Sequence, residues 1–385
     1  MLQKIKILMV TSQYPPDLNG AALQCMRVVK ALRSRIDIAV LTSPPSNKSS
    51  FLSSPNVYRV LDFKNIFLII ISILQAGFIM LKCRFDIVHF HGYSKKTLPL
   101  CLIAKLIGAR VILKLTSYGY DDLNSIINRG LIHKYCLSLI DGYIYPSPAF
   151  KLFLDNKKFH YSSKMFFIPN GVDLNKFRPS TFIERREFRR KHSIDLSSFV
   201  ILLVGHFSID KGFEDVVNAI NLIESKQAKI TLVFIGSRDL SHFEVSAEVV
   251  EKLNEFERKR DKSWIDIKFI EKTEEIETFF QCSDLYILSS RREGLPNALL
   301  EAMACMVPVI STKLIGITDF IIESEVNGIL YEAGDHLNLS IAIEKVRRDY
   351  KYREKLARQG QEKISRYYNI FYTSDSLFKT YLSLI

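Results

Sequence analysis

Short apolar runs alternate with longer stretches of helical period along most of the chain. Residues 4–11 predict a buried strand, followed by a polar loop over 12–20 and a helix rich in Ala, Leu and Val over 21–33. A second strand is expected at 36–41, and the Ser- and Pro-rich stretch 44–55 reads as a surface loop. The very apolar stretch 66–81, IFLIIISILQAGFIML, predicts a helix. Strands follow at 86–90 (DIVHF, leading into His91-Gly92), 110–115, 142–145 and 165–168, with helices over 98–107 and between the last two strands. Beyond the turn-forming stretch NGVDLNKFRP at 170–179, the alternation restarts. A charged helix at 184–192, read as a solvated face, precedes strands at 200–205, 230–235, 265–270 and 328–330. A helix is predicted over 213–225, and amphipathic helices run from about 339 to the end. Such alternation predicts doubly wound parallel sheets.

The most informative stretch is 288–310, LSSRREGLPNALLEAMACMVPVI. An apolar strand leads into a polar loop, a helix starts around Pro296, and a second buried strand follows, which makes one crossover unit. Ligands of open α/β sheets bind at the carboxyl ends of such strands, where free N–H groups at helix starts favour anions. Asn297 and Glu301 lie four apart on one helix face, and Glu293 precedes the helix. Two carboxylates flanking an anion site suit a ligand with phosphates and many hydroxyls. Taken alone, two Glu at this spacing also fit a capping acid and a solvated side chain.

Length adds that 385 residues exceed one typical core, so two domains are expected. With 48% apolar and 24% charged residues the chain should fold throughout. A net charge of +12 implies an anionic partner, and no zinc-finger or RNA-binding signature makes that partner nucleic acid. Six scattered cysteines without a C-x-x-C pair are expected to be reduced and mostly buried, as in a cytoplasmic protein. No signal peptide is read at the N-terminus. Stretch 66–81 falls short of the roughly 20 apolar residues of a spanning helix, so a buried helix is expected, with peripheral attachment to an anionic inner membrane leaflet as the other reading.

The E-G-L-P-x4-E-A-M-A-C-x-x-P-V stretch resembles the E-x7-E signature of GT-B glycosyltransferases, specifically glycosyltransferase family 4, and the likeness runs over nearly the whole chain. The resemblance implies two Rossmann-like domains facing across a cleft, an N-terminal acceptor-side domain (1–175), a C-terminal nucleotide-sugar domain (176–365), and a last helix (366–385) crossing back to the first. Glu293 would contact donor-sugar hydroxyls and Glu301 the ribose. Lys211, at the end of a strand and beside Gly212, would be the cation facing the leaving diphosphate, a charge that transition-state stabilisation requires. Gly20 resembles the glycine that lets backbone approach the donor phosphate, and His91 would bond the transferred sugar. Gly212, Arg292, Gly294, Leu295, Pro296 and Asn297 complete the candidate donor-binding set.

Three positions depart from the family's pattern. His206 stands where Arg is usual, which weakens the phosphate grip unless Arg291 or Arg292 compensates. Met306 and Glu271 stand where glycines are common. No Asp-x-Asp pair occurs, so no metal is expected, and the only co-substrate implied is the nucleotide diphosphate sugar. The implied function is retaining, metal-independent sugar transfer to a glycan or lipid-linked glycan in cell-surface polysaccharide synthesis. The rival from another class is a catalytically silent family member that binds sugar nucleotide or membrane as a scaffold. A dinucleotide oxidoreductase is disfavoured because no G-x-G occurs. A glycosidase would not need the phosphate clamp. Oligomeric state is left open.

Overall fold

The computed structural model describes residues 4–17, 19–45, 56–62, 66–152, 154, 164–224, 229–241 and 244–385. Most of the expected loop at 44–55, part of the expected helix before 165, and Ser225 lie outside the described residues. The chain divides into two compact units, Met1–Gly171 with Ile370–Ile385, and Val172–Asn369.

Unit 1 contains strands β1 (Lys6–Val10), β2 (Asp37–Thr42), β3 (Val57–Arg59), β4 (Ile87–His91), β5 (Arg110–Lys114), β6 (Gly142–Tyr145) and β7 (Met165–Phe167). They form one sheet in the order β3-β2-β1-β4-β5-β6-β7, parallel throughout. Its helices are α1 (Gly20–Leu32), α2 (Ile66–Cys83), α3 (Thr97–Leu106), α4 (Leu123–Ile127), α5 (Leu131–Ser138) and α6 (Ala149–Leu152). Parallel strands need crossovers, and these helices supply them on both faces, which is why the strand sequences are nearly continuous apolar runs. Ala76, Met80, Cys101, Ala104 and Leu137 pack on one face of the sheet. Cys25, Val28 and Leu32 of α1 pack on the other, with Leu377 and Tyr381 of the last helix (Ile370–Leu384).

Unit 2 contains α7 (Phe182–Lys191), β8 (Phe199–Val204), α8 (Phe213–Asn221), β9 (Ile230–Ile235), α9 (Ala247–Lys259), β10 (Ile265–Ile270), α10 (Ile276–Cys282), β11 (Leu285–Leu288), α11 (Asn297–Ala304), β12 (Val309–Thr312), α12 (Thr318–Ile321), β13 (Ile329–Tyr331), α13 (His336–Arg348) and α14 (Tyr350–Tyr367); the last helix, in unit 1, is α15. The sheet order is β10-β9-β8-β11-β12-β13, again all parallel. Alternate residues of β8 serve two cores: Ile201 and Leu203 face one, Val200 and Leu202 the other. In each sheet the direction of winding reverses once, between β1 and β4 and between β8 and β11. Loops diverge at such a point and leave a crevice at the strand ends.

Two expectations need correction. Helix α2 forms, but it is not a buried helix: Phe67, Leu74 and Phe78 are 69%, 67% and 66% exposed, because only the side bearing Ser72, Ala76 and Met80 meets the core. Helix α7 is not simply a solvated face. Arg189 is buried and reaches Asp284 at 2.6 Å and the Cys282 carbonyl at 3.0 Å, and Arg185 joins the same carboxylate. Strand β3 and helices α4, α5, α9, α10 and α12 were not foreseen. The six cysteines are free, and all but Cys83 are buried. Among the described residues no helix is long and apolar enough to cross a membrane.

Candidate active site

The sequence-predicted residues of unit 2 collect at its winding reversal. Strands β8 and β11 are neighbours, so the loop after β8, with His206, Lys211 and Gly212, meets the loop after β11, with Arg291 to Pro296. Lys211 Nζ lies 2.6 Å from Glu293 Oε1, both side chains partly shielded from solvent. The Lys211 stem runs over Gly205, where an added Cβ would meet its Cδ at 3.0 Å.

Glycine holds this junction together. Gly212 has φ +59°, and a Cβ there would fall 2.3 Å from the Ser289 carbonyl oxygen. No L side chain fits so close an approach. The Ser289 hydroxyl, itself buried, donates to the Lys211 carbonyl at 2.7 Å, and Thr312 Oγ1 donates to the Ser290 carbonyl at 2.5 Å. Backbone and side-chain bonds therefore fix the turn that aims Lys211.

The two arginines before Glu293 stitch the same loops together. Arg291 donates to the Ile209 carbonyl at 2.8 Å and contacts Glu214 and Asp215 at 3.1 Å each. Asp215 is buried and also accepts from the Gly334 N–H at 3.2 Å, with His336 Nε2 at the same distance. Arg292 pairs with Asp210 at 2.6 Å. His206 stands 3.8 Å from Glu244. Asp210, Asp215 and Ser289 carried no signal in the sequence, because short polar residues in loops or, for Asp215, in the first turn of a helix read as solvated.

Leu295 and Pro296 are buried, Pro296 is the N-cap residue with extended backbone, and α11 begins at Asn297, one residue later than expected. Glu301 is buried on this helix, one turn after Asn297. The Tyr286 hydroxyl is buried with no hydrogen-bond partner among the described residues, and burial, with Glu293 and Glu301 nearby, pushes its pKa well above the ordinary range. The arrangement offers the Lys211 ammonium, two carboxylates and a helix start.

In unit 1 the corresponding reversal lies between β1 and β4. Gly20 opens α1 just after β1, exposed, with Asn19 capping the helix by accepting from the Ala22 N–H at 2.8 Å. His91 ends β4 and is buried; neither ring nitrogen has a partner among the described residues. Its ring stacks on His89 with centroids 4.6 Å apart, and His89 Nδ1 lies 2.7 Å from the Tyr381 hydroxyl. Lys114, the register partner of His91, is buried and donates to Asn170 Oδ1 at 2.7 Å. Burial and Cys25 leave the Lys114 pKa at about 8, burial being the larger influence and downward. The sequence pattern singled out His91 but not His89 or Lys114, since alternation alone places both as core positions. In the 118–122 turn, Asp121 accepts from Thr116 Oγ1 at 2.6 Å and the Ser117 N–H at 2.6 Å, and Asp122 caps α4. Among the described residues no cluster of three His, Cys, Asp or Glu could hold a metal ion.

Two doubly wound units, each with its candidate residues at the winding reversal, define a two-domain α/β protein of the nucleotide-binding type. Two family models match, "Glycosyltransferase Family 4" over residues 18–176 and "Glycosyl transferases group 1" over 184–363. The chain belongs to this group 1, family 4 type of glycosyltransferases and has their GT-B fold. It is 25% identical over 217 residues to the capsular polysaccharide biosynthesis glycosyltransferase CapM of Staphylococcus aureus, covering 55% of this chain and 53% of that one. To the UDP-Gal:alpha-D-GlcNAc-diphosphoundecaprenol alpha-1,3-galactosyltransferase of Escherichia coli it is 26% identical over 229 residues, 58% of this chain and 55% of that one. The match spans about half the length of the first curated relatives. The fold is shared with HepE of Anabaena, solved in complex with UDP and glucose, at a TM-score of 0.80 and 17% identity, covering 99% of this chain and 100% of that one.

Proposed function

We propose that the protein transfers a sugar from a nucleotide diphosphate sugar to a hydroxyl of a glycan or lipid-linked glycan, with retention of anomeric configuration and without a metal ion. The Lys211–Glu293 pair carries this reading. When the bond between sugar carbon and phosphate breaks, negative charge grows on the leaving diphosphate, and a preoriented ammonium lowers the barrier by stabilising that charge. Glu293 holds Lys211 in place, and its carboxylate can accept from donor-sugar hydroxyls. Glu301, buried on α11, is suited to accept from ribose hydroxyls. Absence of an Asp-x-Asp pair supports a cationic clamp in place of a metal. The E. coli relative uses a UDP-sugar and a diphospholipid-linked sugar by its name, and HepE was solved with UDP. Both support a uridine nucleotide and, for the first, a lipid-linked acceptor in polysaccharide assembly.

The test is turnover of UDP-sugars by the full chain, with a soluble lipid-diphosphate-sugar analogue as acceptor and with EDTA present. Lys211→Ala should lower kcat by on the order of 10²-fold or more, the usual cost of removing one transition-state donor, and NMR of the product should show the donor's anomeric configuration. A Lys211→Ala variant as active as wild type would overturn the assignment. Activity abolished by EDTA and restored by Mn²⁺ would overturn metal independence.

A further inference from the structure

Helix α2 is apolar except for Ser72, Gln75 and Lys82, yet it is not enclosed. Ser72, Ala76 and Met80 turn into unit 1. Phe67, Ile70, Leu74, Phe78 and Leu81 are all more than half exposed. At 100° per residue these five fall within an arc of about 80°, opposite the buried positions. Ordinarily the outer face of a surface helix carries charges, and scattered apolar residues there need no account, but a continuous row marks an interaction surface. From Phe67 to Leu81 the row runs about 21 Å along the helix.

Neighbouring elements extend the pattern. α3 packs beside α2 and α5 beside α3, and their outward residues include Leu106, 86% exposed, with Leu131 and Ile132. None of the three helices contains an acidic residue. Exposed Lys82 and Arg84 lie at the end of α2, followed by exposed Asp86, while exposed Arg129 precedes α5 and exposed Lys134 lies within it. The asymmetry holds at larger scale: unit 1 has 23 Lys and Arg against 9 Asp and no Glu, while unit 2 has 30 Lys and Arg against 32 Asp and Glu. All of the chain's positive excess therefore belongs to the unit that carries the apolar row.

We propose that this face of unit 1 seats on an anionic lipid bilayer, with the α2 row in the acyl boundary and the flanking cations among the headgroups. An aliphatic and aromatic stripe with Lys and Arg close by and no carboxylate within its helices matches the chemistry of that interface, where a helix lies in the plane. The inference deepens the proposed function, since it rests on that reading for the idea that a lipid-linked acceptor is met at the membrane; the docking itself does not require catalysis.

Flotation of the full chain with vesicles tests it without any turnover. Vesicles of phosphatidylcholine with about 30% phosphatidylglycerol should bind the protein at least about tenfold more tightly than phosphatidylcholine alone, and high salt should weaken the binding. Leu74→Glu with Phe78→Glu should lose that binding by about tenfold or more while the thermal midpoint and turnover of a water-soluble acceptor stay as in wild type. Lys82→Glu with Arg84→Glu should weaken it too. Unchanged vesicle binding in the Leu74/Phe78 variant overturns the proposal, as does equal binding to neutral vesicles. A wild-type dimer that the same variant dissociates, or a monomer that binds no vesicle, also overturns it by giving the face to a second copy or to this chain's own segments. Loss of turnover in Lys211→Ala with vesicle binding intact separates the catalytic reading from this one.

Discussion

His89 and His91 are neutral imidazoles at pH 7, because each is enclosed in unit 1 beside a cation. Burial, aided by Lys114, lowers the His89 pKa to about 3; burial, then His89 and Lys114, holds His91 well below its ordinary range. In the unfolded chain both titrate near 6.5. Between that value and the folded pKa the unfolded state binds more protons, so stability is complete above about pH 6.5 and falls as pH drops below it. The slope is about 1.4 kcal/mol per pH unit for each histidine. Denaturant midpoints of the full chain at pH 7.5 and 5.5 should therefore differ, with the first transition lowered at pH 5.5, and His89→Gln with His91→Gln should flatten the dependence. An unfolding midpoint independent of pH in this range would show that the pair takes up protons in the folded state. For function, a neutral His91 whose ring nitrogens have no partner among the described residues can still donate or accept toward a hydroxyl.

At the scale of elements, the end of α11 explains one of the departures from the family's pattern. Met306 adopts φ +60°. Its N–H donates to the Met303 carbonyl and the Val307 N–H to the Ala302 carbonyl, both at 3.0 Å, which is a Schellman ending with Met306 at the left-handed position. Glycine is favoured there for backbone reasons, so the departure concerns the helix end. A side chain in this conformation costs roughly 1–2 kcal/mol, partly offset by the greater unfolded-state freedom of glycine. Met306→Gly should thus stabilise unit 2 by up to about 1 kcal/mol, read as a higher denaturant midpoint with no change in kcat. A lower midpoint would mean that Met306 packing outweighs the strain. Periodicity made α11 and its flanking strands legible, as it did α1, β8 and β9. It failed where a long-range partner decides burial. Nothing within 184–192 indicates that Asp284 draws Arg189 inside, and nothing within 66–81 indicates which side of α2 finds a core.

At the scale of the molecule, the two units have separate cores and separate chemistry. Their alternating strands were readable from apolar runs, and Lys211 and Glu293 were each singled out by the resemblance, but their pairing at 2.6 Å was not readable, because it depends on β8 and β11 being neighbours in the sheet. The polar frame of that crevice was not readable, because the bonds of Asp215, Ser289 and Thr312 join residues far apart in sequence. If Lys211, Glu293 and Glu301 hold the donor as proposed, binding energy enters through unit 2 alone. A nucleotide at 100 times its dissociation constant adds about 2.7 kcal/mol to the unit that binds it. With two units, unfolding need not be a single transition, so a bulk melting curve would blur the effect. Hydrogen exchange resolves it by peptide. UDP should slow exchange most in the loops after β8 and β11 and in the first turn of α11, while β2 and α3 of unit 1 keep their rates. Glu301→Ala should abolish the protection if this carboxylate holds the ribose. Protection confined to unit 1, or retained in full by Glu301→Ala, would move the nucleotide away from the crevice between β8 and β11.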